Sequence, residues 1–164
     1  MMKGALFDLD GVIADTASLH FKAWRKLAEE NFGRSLPDDL EQRTKGVSRS
    51  DSLAAILEYL EIKVSETEFN RLAEEKNLIY RDFLKDLSPD DILPGMRDFI
   101  EELKNRGIMM ALASASQNGP FILERTGLSD CFNAVVDPSK IKAGKPAPDI
   151  YLAAAAALGL SPRE

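Results

Sequence analysis

The sequence predicts an α/β fold: a partial Rossmann-like core built on a parallel sheet, with a four-helix cap inserted into it. Three observations predict this class. A short apolar run at residues 5–7 is typical of a buried strand. Residues 16–87 show only helical spacing of their apolar side chains. Beyond residue 95, strand and helix patterns alternate, as they do in parallel sheets covered by helices. The first strand must join that sheet, so the helical region is an insertion.

Four helices are predicted in the cap, which we place at residues 15–91. The first ends near Gly33, a short second helix follows Pro37, and the third begins near Ser50. Ser65 and Glu68 have the spacing of a capping box and open a long fourth helix. The apolar positions of the three longer helices are Ala17, Phe21, Trp24, Leu27 and Ala28, then Leu53, Ile56, Leu57 and Leu60, then Phe69, Leu72, Ala73, Ile79, Tyr80 and Phe83.

The core is predicted to comprise residues 1–14 and 92–164. A proline-punctuated linker at residues 88–95 separates it from the cap. We then expect a helix at residues 95–106, a strand at 108–113, a helix from 118 to 127, a strand at 133–136 and a final alanine-rich helix. Each strand–helix pair supplies one unit of the sheet and its covering layer.

Composition excludes several classes of partner. The net charge of −6 argues against binding to nucleic acid or to an anionic membrane, and no segment approaches membrane-spanning length. The apolar run after Lys3 is broken at once by Asp8, so we expect no signal peptide. The single cysteine, Cys131, is typical of a reducing compartment. We therefore expect a cytoplasmic protein.

Polar side chains stand at three successive strand ends. Asp8 and Asp10 follow the first strand and share one direction, because strand residues alternate faces. Ser114 follows the second strand and Lys145 the third. Taken singly, these residues also fit solvated aspartates, a helix cap and a loop charge. Together they favour phosphoryl transfer, in which a carboxylate attacks phosphorus while hydroxyl, amide and ammonium groups hold the phosphate oxygens.

These motifs resemble the haloacid dehalogenase superfamily and, within it, the β-phosphoglucomutase family. The superfamily pattern is Asp-x-Asp-Gly at residues 8–11, a serine after the second strand and a later lysine. The narrower resemblance rests on Asp15-Thr16 with His20 and Trp24, residues 45–49 with Ser52, residues 113–116 with 118–120, and residues 145–149. Together these markers cover nearly the whole chain.

The resemblance implies an aspartyl-phosphate mechanism in the core. Asp8 would be the nucleophile and would bind Mg²⁺ through its other oxygen. Asp10 would be the general acid/base toward a sugar hydroxyl and would offer its main-chain carbonyl to Mg²⁺, and Thr16 would orient it. The transferring phosphate would be held by Ser114 and Lys145, with main-chain help from Leu9 and Ala115.

The resemblance also implies residues that bind a small phosphosugar. The distal phosphate would be held by Arg49 with Gly46, Ser48 and Ser116. The sugar-binding site would be lined by His20, Trp24, Lys45, Ser52, Lys76 and Asn118. Three of these have structural alternatives: His20 as an ordinary helix residue, Trp24 as plain core, and Lys76 as part of a solvated charged face with Glu74 and Glu75.

By this resemblance the given sequence stops, at residues 161–164, where the family continues with a further strand. That strand carries an acidic pair that completes the Mg²⁺ site. Mg²⁺ needs near-octahedral oxygen coordination, usually with one or two carboxylates, so we expect Asp8 alone to be a poor site. The family's first strand is central in its sheet, so we expect an exposed edge at residues 4–8 and, through it, a dimer or a segment swap.

Three functions remain open from the sequence. The first is a mutase that interconverts β-glucose 1-phosphate and glucose 6-phosphate through a bisphosphate. The second is a phosphosugar phosphatase of the same superfamily, in which water takes the phosphoryl group from Asp8. The region from Lys45 to Ser52 favours the mutase, since a phosphatase needs only one phosphate site. The third is an inactive chain that acts as a binding or structural fragment.

Overall fold

The computed structural model describes residues 2–163. By its internal contacts the chain divides into two compact units. The core unit contains the residues up to Thr16 and those from Leu87 onward, and the cap unit is Ala17–Asp86. The limits expected from the sequence for the core and the inserted cap, 14/15 and 91/92, remain a proposal.

The predicted α/β class is confirmed. Within the described residues the core unit has a three-stranded parallel sheet, of β1 (Gly4–Phe7), β2 (Met109–Leu112) and β3 (Ala134–Val135), in that order. β2 and β3 are shorter than the predicted 108–113 and 133–136. The α-helices, in chain order, are α1 (Ala17–Phe32), α2 (Leu40–Thr44), α3 (Arg49–Leu60), α4 (Glu66–Leu84), α5 (Met96–Asn105), α6 (Gly119–Thr126) and α7 (Asp149–Ala157).

Alternation along the strands gives the sheet two apolar faces. Gly4 pairs with Met109 and Phe7 with Leu112, so β1 and β2 run in register to the same level. On one face, α7 packs against all three strands and contributes to an apolar cluster. On the other, Phe7 makes edge contacts with Phe99 of α5 at 6.0 Å and with Phe132 at 5.7 Å. Helix α7 therefore packs on one face of the sheet and α5 on the other, an arrangement typical of parallel sheets.

The two segments that lead to and from the cap unit lie side by side in the core unit. The Asp15 N–H donates to the Asp91 carbonyl at 3.2 Å, and the Leu93 N–H donates to the Ile13 carbonyl at 2.9 Å. The predicted linker is partly ordered as a 3₁₀ turn at Pro89–Asp91, which Ser88 closes in a reciprocal capping box with Asp91. The proline and glycine pattern of residues 88–95 predicts only a linker there.

The cap unit contains the four predicted helices, and α1 packs along α4. Its core includes Leu27, Leu53 and Leu72, all close to zero exposure. Helix α4 begins after Ser65, whose hydroxyl accepts the Glu68 N–H at 3.2 Å. The other half of the predicted capping box was wrong: the Glu68 carboxylate instead accepts two bonds from Arg71, at 2.7 and 2.8 Å. A nearby guanidinium offers that carboxylate a stronger, charge-assisted partner than a main-chain amide does.

Within residues 2–163, no helix combines the length and the apolar character that crossing a membrane requires.

Burial in the cap unit leads to a stability prediction. Leu53→Ala should lower the free energy of unfolding by about 2–5 kcal/mol, because Leu53 is fully buried and its truncation leaves a cavity. Tyr59→Ala on the same helix is the matched control. Tyr59 is 45% exposed, so its loss should change stability by no more than about 0.5 kcal/mol. Urea unfolding measures both values, and equal losses would contradict this placement of α3.

Candidate active site

Asp8 and Lys145 meet at the carboxyl end of β1. Asp8 follows the last residue of the strand, and its Oδ1 accepts the Leu9 N–H at 2.9 Å. Its Oδ2 lies 2.8 Å from the Lys145 Nζ. The Lys145 side chain is 15% exposed and that of Asp8 31%, so the pair is only partly screened by water. The Lys145 Nζ also lies 5.2 Å from the centre of the Tyr151 ring on α7.

Asp10 is held by a tight turn after β1. Gly11 adopts a positive φ of 73°, and its N–H donates to the Ala14 carbonyl at 2.9 Å. Leu9, fully buried, anchors the turn in the core unit, whereas Asp10 is half-buried. The hydroxyl of the buried Thr16 donates a hydrogen bond to Asp10 Oδ1 at 2.6 Å, a distance typical of a hydroxyl–carboxylate hydrogen bond. One oxygen of Asp10 is therefore fixed by the residue predicted to orient it.

The loop after β2 is built from two successive serine turns. The hydroxyl of Ser114, which is buried, accepts the Ser116 N–H at 3.1 Å, and the hydroxyl of Ser116 accepts the Asn118 N–H at 3.2 Å. Asn118 is the residue before α6 and is itself buried. Ser114 therefore does not cap α6, which was the structural alternative for it. Ala115 lies half-buried between the two serines.

Arg49, the predicted ligand of a distal phosphate, is the first residue of α3. Its Nη1 lies 3.3 Å from the Oε2 of Glu74 on α4, and its side chain is 23% exposed. Burial lowers the pKa of the Arg49 guanidinium from its ordinary value, while the Glu74 carboxylate raises it in part. Arginine is too basic to lose its proton in proteins, so the group stays a cation. Any phosphate bound there would compete with Glu74.

The other predicted ligands of residues 45–52 lie in and around the connection between α2 and α3. Lys45 lies 4.0 Å from Glu41, and Gly46 turns the chain with a φ of 75°. Ser48 caps α3: its hydroxyl accepts the Asp51 N–H at 3.1 Å. Ser52 is buried and donates to the Thr44 carbonyl at 3.4 Å. Ser48 and Ser52 thus have structural roles, and Lys45 and Gly46 lie at the surface.

Four residues form an aromatic–ammonium cluster between α1 and α4: His20, Trp24, Lys76 and Tyr80. The Lys76 Nζ lies 2.8 Å from His20 Nδ1, 4.8 Å from the centre of the Trp24 ring and 4.7 Å from that of Tyr80. The Tyr80 ring stacks on the His20 imidazole with centres 3.9 Å apart and planes 13° apart. Lys76 is only 3% exposed, so its reading as a solvated charge was wrong. Trp24 is buried, as its place in the apolar stripe of α1 predicts.

Mg²⁺ is the metal that the chemistry at β1 suggests. It takes oxygen ligands and, in phosphoryl-transfer sites, combines one or two carboxylates with phosphate oxygens. Asp8 offers such a carboxylate, and the main-chain carbonyl of Asp10 offers a second oxygen. In residues 2–163, no three His, Cys, Asp or Glu side chains group into a metal site. A magnesium site at the end of β1 therefore remains a proposal, with the Asp8 carboxylate and the Asp10 carbonyl as its candidate ligands.

Three residues contact predicted site residues, and the sequence did not predict these contacts. Glu74 pairs with Arg49, Tyr80 stacks on His20, and Tyr151 lies over the Lys145 ammonium. Tyr80 had a usable signal, since it stands four residues after Lys76 on one helix and so shares its face. The Glu74 contact depends on how α3 and α4 pack, and the Tyr151 contact on the conformation of the residues between Lys145 and α7. Spacing along the sequence predicts neither.

Known proteins resemble this chain over nearly its whole length. A model of the haloacid dehalogenase-like hydrolase family matches residues 2–164. The β-phosphoglucomutase of Bacillus subtilis strain 168 is 44% identical, and the alignment covers 99% of this chain and 73% of that protein. A phosphorylated carbohydrates phosphatase of Thermotoga maritima is 35% identical over 99% of this chain and 74% of that protein.

A solved structure also resembles this chain in its three-dimensional fold. The crystal structure of β-phosphoglucomutase from Clostridium difficile matches with a TM-score of 0.95 at 41% identity, over 99% of this chain and 74% of that one. These matches span both units of the chain and involve enzymes that transfer or hydrolyse phosphate groups. The chain therefore belongs to the haloacid dehalogenase-like hydrolase family and is an enzyme of the phosphotransferase kind.

Proposed function

We propose that this protein is a phosphomutase that interconverts β-glucose 1-phosphate and glucose 6-phosphate through an aspartyl-phosphate on Asp8. The observation that carries the proposal is the Asp8–Lys145 contact of 2.8 Å, which places a carboxylate nucleophile beside a cation at a strand end. The similarity to the β-phosphoglucomutase of Bacillus subtilis supports the mutase within the family.

The first half of the proposed reaction forms the phosphoenzyme. An Asp8 oxygen attacks phosphorus of a glucose bisphosphate, the new P–O bond forms, and the bond from phosphorus to the sugar oxygen breaks. Asp10, protonated at this stage, gives its proton to that leaving oxygen. The Lys145 ammonium and the Ser114 hydroxyl donate to the phosphate oxygens, which stabilises their negative charge while the phosphoryl group passes to Asp8.

The second half returns the phosphoryl group to the other end of the sugar. The sugar hydroxyl attacks the aspartyl-phosphate, its proton passes to Asp10, and the P–O bond to Asp8 breaks. The Thr16 hydroxyl, at 2.6 Å from Asp10 Oδ1, holds the carboxylate in one orientation for this transfer. Mg²⁺, held by the Asp8 carboxylate and the Asp10 carbonyl, would supply positive charge between the two anions.

The cap residues are proposed to bind the rest of the substrate. Arg49 would bind the distal phosphate together with Gly46, Ser48 and Ser116. The sugar would be bound by His20, Trp24, Lys45, Ser52, Lys76 and Asn118. A buried ammonium beside His20 suits a sugar, because it presents hydrogen-bond donors in a site otherwise lined by aromatic rings.

One observation favours a phosphatase as the second candidate. Arg49 is already paired with Glu74 at 3.3 Å, so a second phosphate would have to displace a carboxylate from the guanidinium. The phosphorylated carbohydrates phosphatase of Thermotoga maritima is also 35% identical to this chain. A phosphatase would use the same Asp8 nucleophile and would let water, rather than a sugar hydroxyl, accept the phosphoryl group.

The two aspartates should differ in what they contribute. Asp8→Asn should abolish formation of the phosphoenzyme, because an amide is not a nucleophile. Asp10→Asn should leave substrate binding intact and slow sugar turnover by about 10²–10⁴-fold, because it removes only the proton transfer. Single-turnover kinetics with glucose bisphosphate separates these effects. Phosphoenzyme formation by the Asp8→Asn protein would show that another residue is the nucleophile.

Arg49 tests the choice between mutase and phosphatase. If Arg49 binds a distal phosphate, Arg49→Ala should weaken transition-state binding of the bisphosphate by about 1.5–3 kcal/mol, or at least about tenfold in kcat/KM. Hydrolysis of a small aryl phosphate, which has one phosphate, should be unchanged. Arg43→Ala is the matched control, because Arg43 also pairs with a glutamate, Glu58, at 2.9 Å. Equal losses on both substrates would remove the case for a second phosphate site.

A further inference from the structure

The aromatic–ammonium cluster is built from two pairs of residues at the same spacing. His20 and Trp24 stand four residues apart on α1, and Lys76 and Tyr80 stand four residues apart on α4. Residues at this spacing share one face of a helix, and α1 packs along α4. Each helix therefore presents one basic group and one aromatic ring to the other. Tyr80 and Trp24 are almost fully buried, as is Lys76.

The contact between Lys76 and His20 limits the charge of the pair. A hydrogen bond of 2.8 Å between the Lys76 Nζ and the His20 Nδ1 needs a lone pair on one of the two nitrogens, and neither an ammonium nor an imidazolium has one there. The two groups are therefore not both protonated. With lysine as the ammonium, His20 Nδ1 is the acceptor and the pair carries one positive charge among aromatic rings.

Tyr80 contacts both members of this pair. Its ring lies parallel to the His20 imidazole, with 3.9 Å between centres, and 4.7 Å from the Lys76 ammonium. Ring stacking fixes the plane in which the imidazole lies, and so the direction of Nδ1. The electron-rich ring face attracts the ammonium, an effect that is larger for a buried cation than for an exposed one. An aliphatic side chain of similar size would fill the space but would make neither contact.

We propose that Tyr80 is a positioning residue: its ring holds the His20 imidazole and the Lys76 ammonium in the orientation from which they bind the sugar. The positioning itself follows from the contacts within the cap unit. Its effect on turnover rests on the proposed function, which assigns His20 and Lys76 to the sugar.

The first test measures the position of the His20 ring by NMR and requires no activity assay. His20 is the only histidine of the chain, so its imidazole gives a single set of signals in a ¹H–¹³C spectrum. Stacking on Tyr80 should shift those signals upfield and should give NOEs between the two rings in the unmodified protein. Tyr80→Leu should move the His20 signals downfield, and Tyr80→Phe should restore them. Leu72→Ala, which removes a buried residue elsewhere on α4, is the control for a general loss of packing.

The second test compares kcat/KM for the bisphosphate and for a small aryl phosphate. We expect Tyr80→Leu to lower the bisphosphate value by on the order of tenfold, as the loss of a buried cation–π contact implies, and to leave the aryl phosphate value unchanged. Tyr80→Phe should retain the wild-type bisphosphate value, because it keeps the ring.

The results distinguish the positioning role of Tyr80 from the proposed binding of the sugar by His20 and Lys76. Absence of NOEs between His20 and Tyr80 would overturn the positioning role, even if Tyr80→Leu does not fold. An equal shift of the His20 signals in Leu72→Ala would also overturn it, because packing alone would then explain the effect. A downfield shift of the His20 signals in Tyr80→Leu that Tyr80→Phe reverses, with unchanged kcat/KM for the bisphosphate in Tyr80→Leu, would support the positioning role. It would also overturn the assignment of His20 and Lys76 to the sugar.

Discussion

The ion pair between Asp8 and Lys145 joins two loops from opposite ends of the chain. Asp8 leaves β1, and Lys145 precedes α7, which packs against all three strands. With the Lys145 side chain only 15% exposed, neither charge is fully hydrated, so removal of one would leave the other poorly compensated. The pair therefore depends on the sheet and α7 staying packed, and the proposed nucleophile is positioned by the same contacts that stabilise the core unit.

The register of the sheet brings the remaining polar groups to the same edge. Phe7 pairs with Leu112, and the Ala113 N–H donates to the Phe7 carbonyl at 2.7 Å. The next residue of each segment, Asp8 and Ser114, therefore leaves the sheet at nearly the same level. Open α/β sheets bind their ligands at the carboxyl ends of their strands, where loops can present side chains while the sheet keeps them in place. Thr16 adds a second constraint by fixing one oxygen of Asp10 at 2.6 Å.

The core part of the site could be predicted from the sequence because short sequence patterns mark the strand ends at which its residues lie. An apolar run followed by a polar residue marks a strand end, and parallel strands bring such ends together. Asp8, Ser114 and Lys145 were predicted in this way, and the structure brings Asp8 and Lys145 into contact at 2.8 Å. The cap could not be predicted as well, because its chemistry depends on contacts between helices. Lys76 follows two glutamates and resembles a solvated face, yet packing of α1 along α4 buries it beside His20. The Glu68 carboxylate had two partners within reach, and spacing alone did not show that Arg71 would be preferred.

The most direct test of the central claim is to locate the phosphorylated residue. After incubation with glucose bisphosphate, reduction with borohydride converts an aspartyl-phosphate to homoserine, and peptide mass spectrometry then identifies the modified position. We expect the change at Asp8 alone, with Asp10 unmodified, and a much lower yield from the Lys145→Met protein, which lacks the cation beside the nucleophile. Modification of a different carboxylate, or turnover of the sugar phosphate with no modified residue, would contradict an aspartyl-phosphate at the end of β1.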